Sequence, residues 1–372
     1  MRSHAGWAVL CMLLAGLVQG AWAARAVVFR DARGFAVASA PFMFRFPRDH
    51  GAHTAYQSEW WYYTGHLQAL DGRRFGYELT FFRVGLRPGS RSRARGQSDW
   101  RGTQFFPAHF AITDLGGRRF LYFEQSAREA LGAGFASERS LDVRVNAWRV
   151  RGTNPMRLHA QQEGNGIDLM AVAVKPPAVH GKNGISRKAA CSTCASHYYS
   201  VSRLRTSGIL VLHGERLHVS GTSWMDHEFG SDELQRNQVG WDWFSLQLDD
   251  GRDVMFYRLR EKNGAVTVQS SGSLIDTRGR VEYLPLDAVA VSPLGSWTSP
   301  HTGGVYPSGW TMSVSNSGID VVMLPLLADQ ELVNQNGISY WEGAVDVKDR
   351  RSGQHLGNAY VELTGYAGAL TL

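Results

Sequence analysis

From residue 41 onward, short runs rich in Tyr, Phe, Trp, Val and Thr alternate with glycine-containing breaks, as strands joined by tight turns do. The pattern predicts strands at 60–67, 75–84, 109–113, 141–150, 209–212, 217–222, 241–248 and 254–260, then at 309–314, 320–324, 340–347 and 359–364. Asp71-Gly72, Gly116-Gly117 and Asp250-Gly251 supply hairpin-type turns. No long amphipathic helix is expected, only a short one near 124–130. So many short strands exceed one small barrel, and the fold class is therefore all-β, with two antiparallel barrels or sandwiches in tandem. The longest polar interval between aromatic strand pairs in the middle of the chain, 229–240, sets the boundary, giving domains at 24–232 and 233–372.

Residues 1–23 have a different character. Arg2 gives a positive start, 7–18 an apolar stretch, and Ala21-Trp22-Ala23 a small-x-small cleavage signature, so the segment reads as a secretory signal peptide. A membrane span needs about 20 apolar residues, and this run is shorter and interrupted by Gly16, Gln19 and Gly20. The expected location is periplasmic or secreted.

With 44% hydrophobic and 19% charged residues, the chain can bury enough apolar surface to exclude disorder. The net charge of +6 is mild. Much of it sits in Arg87, Arg91, Arg93, Arg95 and Arg101, which read as a solvated loop or a contact with anionic lipid headgroups. Nucleic acid is not an expected partner of an exported protein. Beyond the leader the cysteines are Cys191 and Cys194, and a small local disulfide is the expected state in an oxidising compartment. A redox pair would need a helix opening at the first cysteine, haem attachment a histidine directly after the second, and zinc a fourth ligand.

Two constellations carry the candidate chemistry. In Glu59-Trp60-Trp61-Tyr62-Tyr63-Thr64-Gly65-His66-Leu67, alternation places Glu59, Trp61 and Tyr63 on one face and Trp60, Tyr62, Thr64 and His66 on the other. Either this strand is core on both sides, or one side lines an aromatic cavity inside a barrel. Glu59 beside three rings must be hydrogen-bonded or carry a raised pKa. In the run from Gly221 to Gly230, Trp224, Asp226 and Glu228 share one side of a strand, and Met225, His227 and Phe229 the other. As a surface loop these ionisable groups would be solvated and inert. As a site they offer a carboxylate acid and base, a His–carboxylate pair or, more weakly, metal ligands; no metal is expected. Carboxylates embedded among rings recur at Trp241-Asp242-Trp243 and Tyr340-Trp341-Glu342.

Acids in such surroundings stay protonated near neutral pH, and aromatic faces stabilise positive charge. The combination suits protonation of an isolated alkene to a carbocation that then takes up water. It also suits an oxocarbenium-forming glycosidase, or a ring-lined pocket for a greasy ligand with no reaction at all.

At these residues the sequence resembles the carotenoid 1,2-hydratase (hydroxyneurosporene synthase) and AttH family. The likeness runs from His53 through Glu-Trp-Trp-Tyr-Tyr-Thr-Gly-His-Leu67, Phe75 to Arg83, Tyr198-Tyr199-Ser200 and Gly221 to Gly230. It continues through Gly240 to Phe244, Tyr340 to Val345 and Tyr360 to Tyr366. The resemblance implies tandem lipocalin-like antiparallel β-barrels, and water addition to a terminal double bond without metal or organic cofactor. AttH-type members are exported proteins linked to ABC export systems, and some relatives are described as secreted hydrolases. The leader favours that exported branch, with a lipid or isoprenoid-like apolar ligand. In the hydratase reading Asp226 donates the proton, His227 steers or deprotonates water, and Glu59 or Asp242 is the second carboxylate. Trp60, Tyr62, Tyr199, Trp224 and Trp241 would then line the pocket.

Overall fold

The computed structural model describes residues 29–88, 102–191, 193–231, 235, 237–334 and 339–368. The leader at 1–23 and Arg91, Arg93, Arg95 and Arg101 of the basic stretch lie outside the described residues.

Two antiparallel sheets, each rolled into a nearly closed barrel, account for most of the structure. In the first, the strands lie in the order Arg119–Arg128, Gln104–Asp114, Arg74–Gly85, Ser58–Ala69, Glu215–Gly230, Ala195–Leu212, Asn165–Ala173, Met156–Gln162, Trp148–Arg151, Asp142–Val145, Gly134–Ala136. Its outermost members approach one another and almost close the ring. The second barrel runs Val281–Pro285, Ser271–Ile275, Asp253–Glu261, Gln238–Leu248, His355–Leu363, Tyr340–Asp349, Ile319–Pro325, Trp310–Val314, Val289–Pro293. Its two edge strands are joined by the single 3-10 turn Leu286–Ala288. Near closure brings the edge strands close together, although among the described residues they form no ladder with each other. The chain leaves the first sheet at Gly230 and enters the second at Gln238.

The short helix expected near 124–130 is absent. Arg119–Arg128 is an edge strand paired along its length with Gln104–Asp114, and only Ala130–Gly132 makes a 3-10 turn. Glu, Gln, Ala and Arg favour helix locally, but cross-strand pairing overrides that preference. The run at 141–150 is a hairpin of two strands, Asp142–Val145 and Trp148–Arg151, turned at Asn146 with φ 52°.

Each barrel is filled by its own side chains. Trp61, Tyr63, Tyr77, Phe81, Phe110 and Trp148 are among those packing the first, and Phe244, Phe256, Trp310, Met323, Trp341 and Val361 the second. A third cluster joins the two, with Tyr62, Tyr198 and Trp224 meeting Trp243, Tyr257, Leu259, Ala344 and Tyr360. Asp253 of the second barrel ties the same interface together, pairing with Lys175 and Arg203 of the first at 2.6 Å each. The close approach also explains Gly76, where an added Cβ would lie 2.9 Å from that of Ala344.

Candidate active site between the barrels

Strand alternation generates the site. On Ser58–Ala69 the odd positions Trp61 and Tyr63 enter the first barrel's core, while Trp60 and Tyr62 face the second barrel. Register then builds cross-strand rows on that outer face: Thr80, Tyr62, Asp226 and Ser200 in one, and Phe82, Trp60, Glu228 and Tyr198 in the next. The second barrel answers with Tyr257, Trp243, Glu362 and Glu342. These rows enclose a cavity of about 570 Å³. It lies between the barrels, whereas the sequence left this strand either core on both sides or lining an aromatic cavity inside one barrel. The interiors are already filled, so the outward faces provide the remaining space.

Asp226 sits in this wall with 4% of its surface exposed. Tyr198 donates to its Oδ2 at 2.6 Å, the Trp224 indole donates to Oδ1 at 2.6 Å, and the Ser200 hydroxyl donates to Oδ1 as well. Burial nevertheless raises its pKa to about 7, against the lowering effect of those three donors. Behind it, His180 spans Ser200 at 2.6 Å and Ser273 of the second barrel at 2.9 Å. Burial drives the His180 pKa down to about 3, so the ring is neutral; Nε2–H donates to Ser200 while Nδ1 accepts from Ser273. Trp243 donates to the Tyr198 hydroxyl at 2.9 Å, which links the barrels through the same network.

Across the cavity Glu342 and Glu362 stand directly opposite each other on paired strands. Two like charges in that position repel, so the pair favours protonation. Burial, then Glu362 and Glu78, push Glu342 well above the usual carboxyl range. Burial also raises Glu362 to about 7, opposed by a hydrogen bond from Trp241, and Glu78 to about 8. Tyr62 donates to Glu342 Oε1 at 2.7 Å, while Glu342 Oε2 has no hydrogen-bond partner among the described residues. Glu228 differs, being paired with Lys188 at 2.7 Å. That ammonium lies 4.2 Å from the Tyr257 ring centroid.

Other expected site residues are placed elsewhere. His227 points into the first barrel, opposite to Asp226 as alternation requires, and is fully buried. Its Nε2 meets Glu59 at 2.9 Å and its Nδ1 meets Tyr199 at 3.1 Å, so neither nitrogen is available to a cavity ligand. Glu59 borders the cavity, but its carboxylate is engaged by Arg83 at 2.7 Å and by His53 and His227 at 2.9 Å each. Burial opposes its charge, yet Arg83 and the two histidines hold its pKa well below the usual range. Asp242 is not in the cavity wall; Arg258, Arg260 and the Tyr366 hydroxyl surround it at 3.2, 2.8 and 2.9 Å. Thus Trp60, Tyr62 and Trp241 line the cavity, Trp224 stands behind Asp226, and Tyr199 faces the opposite way. Glu362, Trp243, Tyr198 and Lys188 line it too and were not singled out as site residues, and Glu342 was noted only as a ring-flanked carboxylate. Cys191 and Cys194 are joined as a disulfide, with Cα atoms 5.3 Å apart.

His53, Glu59 and His227 also bring three ligand atoms within 4.8 Å of one another. The two histidine nitrogens are already 2.9 Å from Glu59 Oε1. Ligands around tetrahedral zinc stand roughly 3.3 Å apart. With Arg83 on the other oxygen, the cluster is a hydrogen-bonded ion-pair network in which an ion would have to displace existing partners.

Two nearly closed antiparallel barrels with an acid- and ring-lined cavity between them define a tandem lipocalin-like protein. The chain belongs to the AttH-like family, whose model matches residues 37–366. The crystal structure of a protein assigned as an AttH from Nitrosomonas europaea is similar, with 32% identity and a TM-score of 0.79 over 89% of this chain and 100% of that one. Kievitone hydratase from Nectria haematococca shares the fold at 16% identity, with a TM-score of 0.65 over 90% of this chain and 96% of that one. No curated protein matches the sequence.

Proposed function

We propose that this chain is a hydro-lyase that adds water to a carbon–carbon double bond of an apolar, isoprenoid-like or lipid substrate held between its barrels. The supporting observation is Asp226, a carboxyl in the wall of a ring-lined cavity with a pKa of about 7, so that much of it carries a proton at neutrality. Its proton forms a new C–H bond on the alkene and leaves a carbocation. The Trp60, Trp241 and Trp243 rings face that charge and lower its cost. Water adds to the cation, and the proton it releases returns to the Asp226 carboxylate or to Glu362, so alkene and water give an alcohol with no net proton change. His180 and Ser200 orient the donor from behind. Kievitone hydratase has the same fold, but the reading rests on the carboxyl chemistry of this chain.

We also place the protein outside the cytoplasm, beside an ABC export system, on the strength of its leader and the sequence resemblance. Asp226→Asn keeps the shape and removes the transferable proton. We expect turnover of a terminal isoprenoid alkene to fall by about 10²–10⁴-fold, while ligand affinity changes little. In the unaltered protein turnover falls as pH rises through about 7, because the donor form of Asp226 is lost. Full turnover in Asp226→Asn would remove the assignment and leave the cavity to a carrier role.

A further inference from the structure

Asp226, Glu342 and Glu362 all line the cavity, and Glu78 lies near enough to raise Glu342 further and to be raised by Glu362. None of the four has an ion-pair partner among the described residues. Four cations line the same cavity: Arg83 pairs with Glu59, Lys188 with Glu228 and Arg33 with Asp31, and none of them, Lys262 included, pairs with these four acids among the described residues. Uncompensated buried carboxyls are costly when charged and are normally matched by a counter-ion. A second, separate feature lies in the same wall. Glu342 is fully buried, and its Oε2 has no partner among the described residues, although a buried carboxyl oxygen is normally hydrogen-bonded. The rest of the wall is aromatic, with Trp60, Tyr62, Phe82, Trp241 and Trp243 offering ring faces. Such a wall attracts apolar cations strongly once water is excluded.

We infer that the cavity binds a lipophilic monocation, an alkylammonium with its charged end at Glu342 and Glu362, and that binding expels protons from the acid cluster. The chemistry is that of a missing counter-ion. The groups acting on these acids are Tyr62, Glu78, Glu362 and Asp226 around Glu342; Trp241, Asp226 and Glu228 around Glu362; and Tyr198, Ser200, Trp224 and Glu228 around Asp226, with the cations Arg33, Arg83, Lys188 and Lys262 elsewhere in the wall. A cation among them favours their ionised forms, so each acid that ionises gives its proton to solvent. The inference uses the cavity of the proposed reaction but does not require turnover.

Isothermal titration of the unaltered protein just below neutral pH tests it, with decyltrimethylammonium, neutral decanol and anionic decanoate as probes in two buffers of different ionisation enthalpy. We expect the cation to bind about tenfold or more tighter than decanol. Its heat should report release of about one proton. Glu342→Gln should remove most of the cation's advantage and leave decanol binding within a few-fold. Equal or weaker cation binding, or binding whose heat is independent of buffer, would overturn the inference. Alkene turnover without cation binding would leave the reaction standing and remove this site; cation binding without turnover would do the reverse.

Discussion

Glu59 and Asp226 are both carboxyls among rings, and their environments drive them to opposite protonation states. Arg83, fully buried with Glu59, makes the difference for the former. Replacing it by Met would leave a charged carboxylate in the barrel without its strongest partner, and Arg83→Met should cost about 3–5 kcal/mol in urea unfolding. The double variant Arg83→Met with Glu59→Gln should recover part of that loss, which a double-mutant cycle would measure. The sequence narrowed Glu59 to two states, hydrogen-bonded or raised, and could go no further because Arg83 and His227 reach it from other strands. Asp226 was legible as a ring-flanked acid. Its neighbour His227 was paired with it by adjacency alone, and alternation sends the two side chains into different compartments. Asp242 repeats the Glu59 arrangement in the second barrel, with Arg258 directly across the strand pair. Both act as buried ion-pair centres, which proximity to tryptophan in sequence does not distinguish from a catalytic acid.

Strands set the geometry, and their register is what brings the reactive side chains together. Ala195–Leu212 and Glu215–Gly230 form a long hairpin whose pairing shifts between Val201 and Leu204. The irregularity divides its cavity-facing half from the half that closes the first barrel. Gly221 lies within this hairpin where it pairs with Leu67, and an added Cβ would come 1.9 Å from the His66 carbonyl oxygen. Backbone cannot yield as a side chain can, so Gly221→Ala should destabilise by about 1–3 kcal/mol. It should also disturb ligand binding, since the same two strands carry Tyr62 and Asp226; thermal melts and titration of any cavity ligand would report the two effects separately. At this scale most of the fold was legible, because aromatic runs and glycine turns mark strands directly. The helix expected near 124–130 failed because an edge strand is held by its neighbour and not by its own propensity. The Glu342–Glu362 pair was invisible for a related reason: twenty residues of chain separate two side chains that only strand pairing makes adjacent.

At the level of the molecule, the two groups of carboxyls bound the stable pH range from both sides. Glu59 and Asp49 have folded pKa values below their unfolded ones, so the stability they add is present above the unfolded values and is lost as pH falls through the folded ones. Asp226, Glu362 and Glu78 are raised to about 7, 7 and 8, so their contribution is present below the unfolded values and is lost as pH rises through the folded ones. Melting temperature should therefore be highest near about pH 4 to 5, around the ordinary carboxyl values, and decline as pH rises from there to about 8. In Asp226→Asn the decline between about pH 4 and 7 should become shallower, which a series of melts across pH would detect.

The cavity is divided, with Asp226 and Tyr62 on one barrel and Glu342, Glu362 and Trp243 on the other. This makes the halves poor candidates for independent descent. Either barrel could keep its fold through drift in sequence, yet a change on one cavity face alters the fit of its counterpart, and selection on function must act on both together. A chimera joining this first barrel to the second barrel of the Nitrosomonas europaea protein would then inherit two sound folds and a mismatched seam.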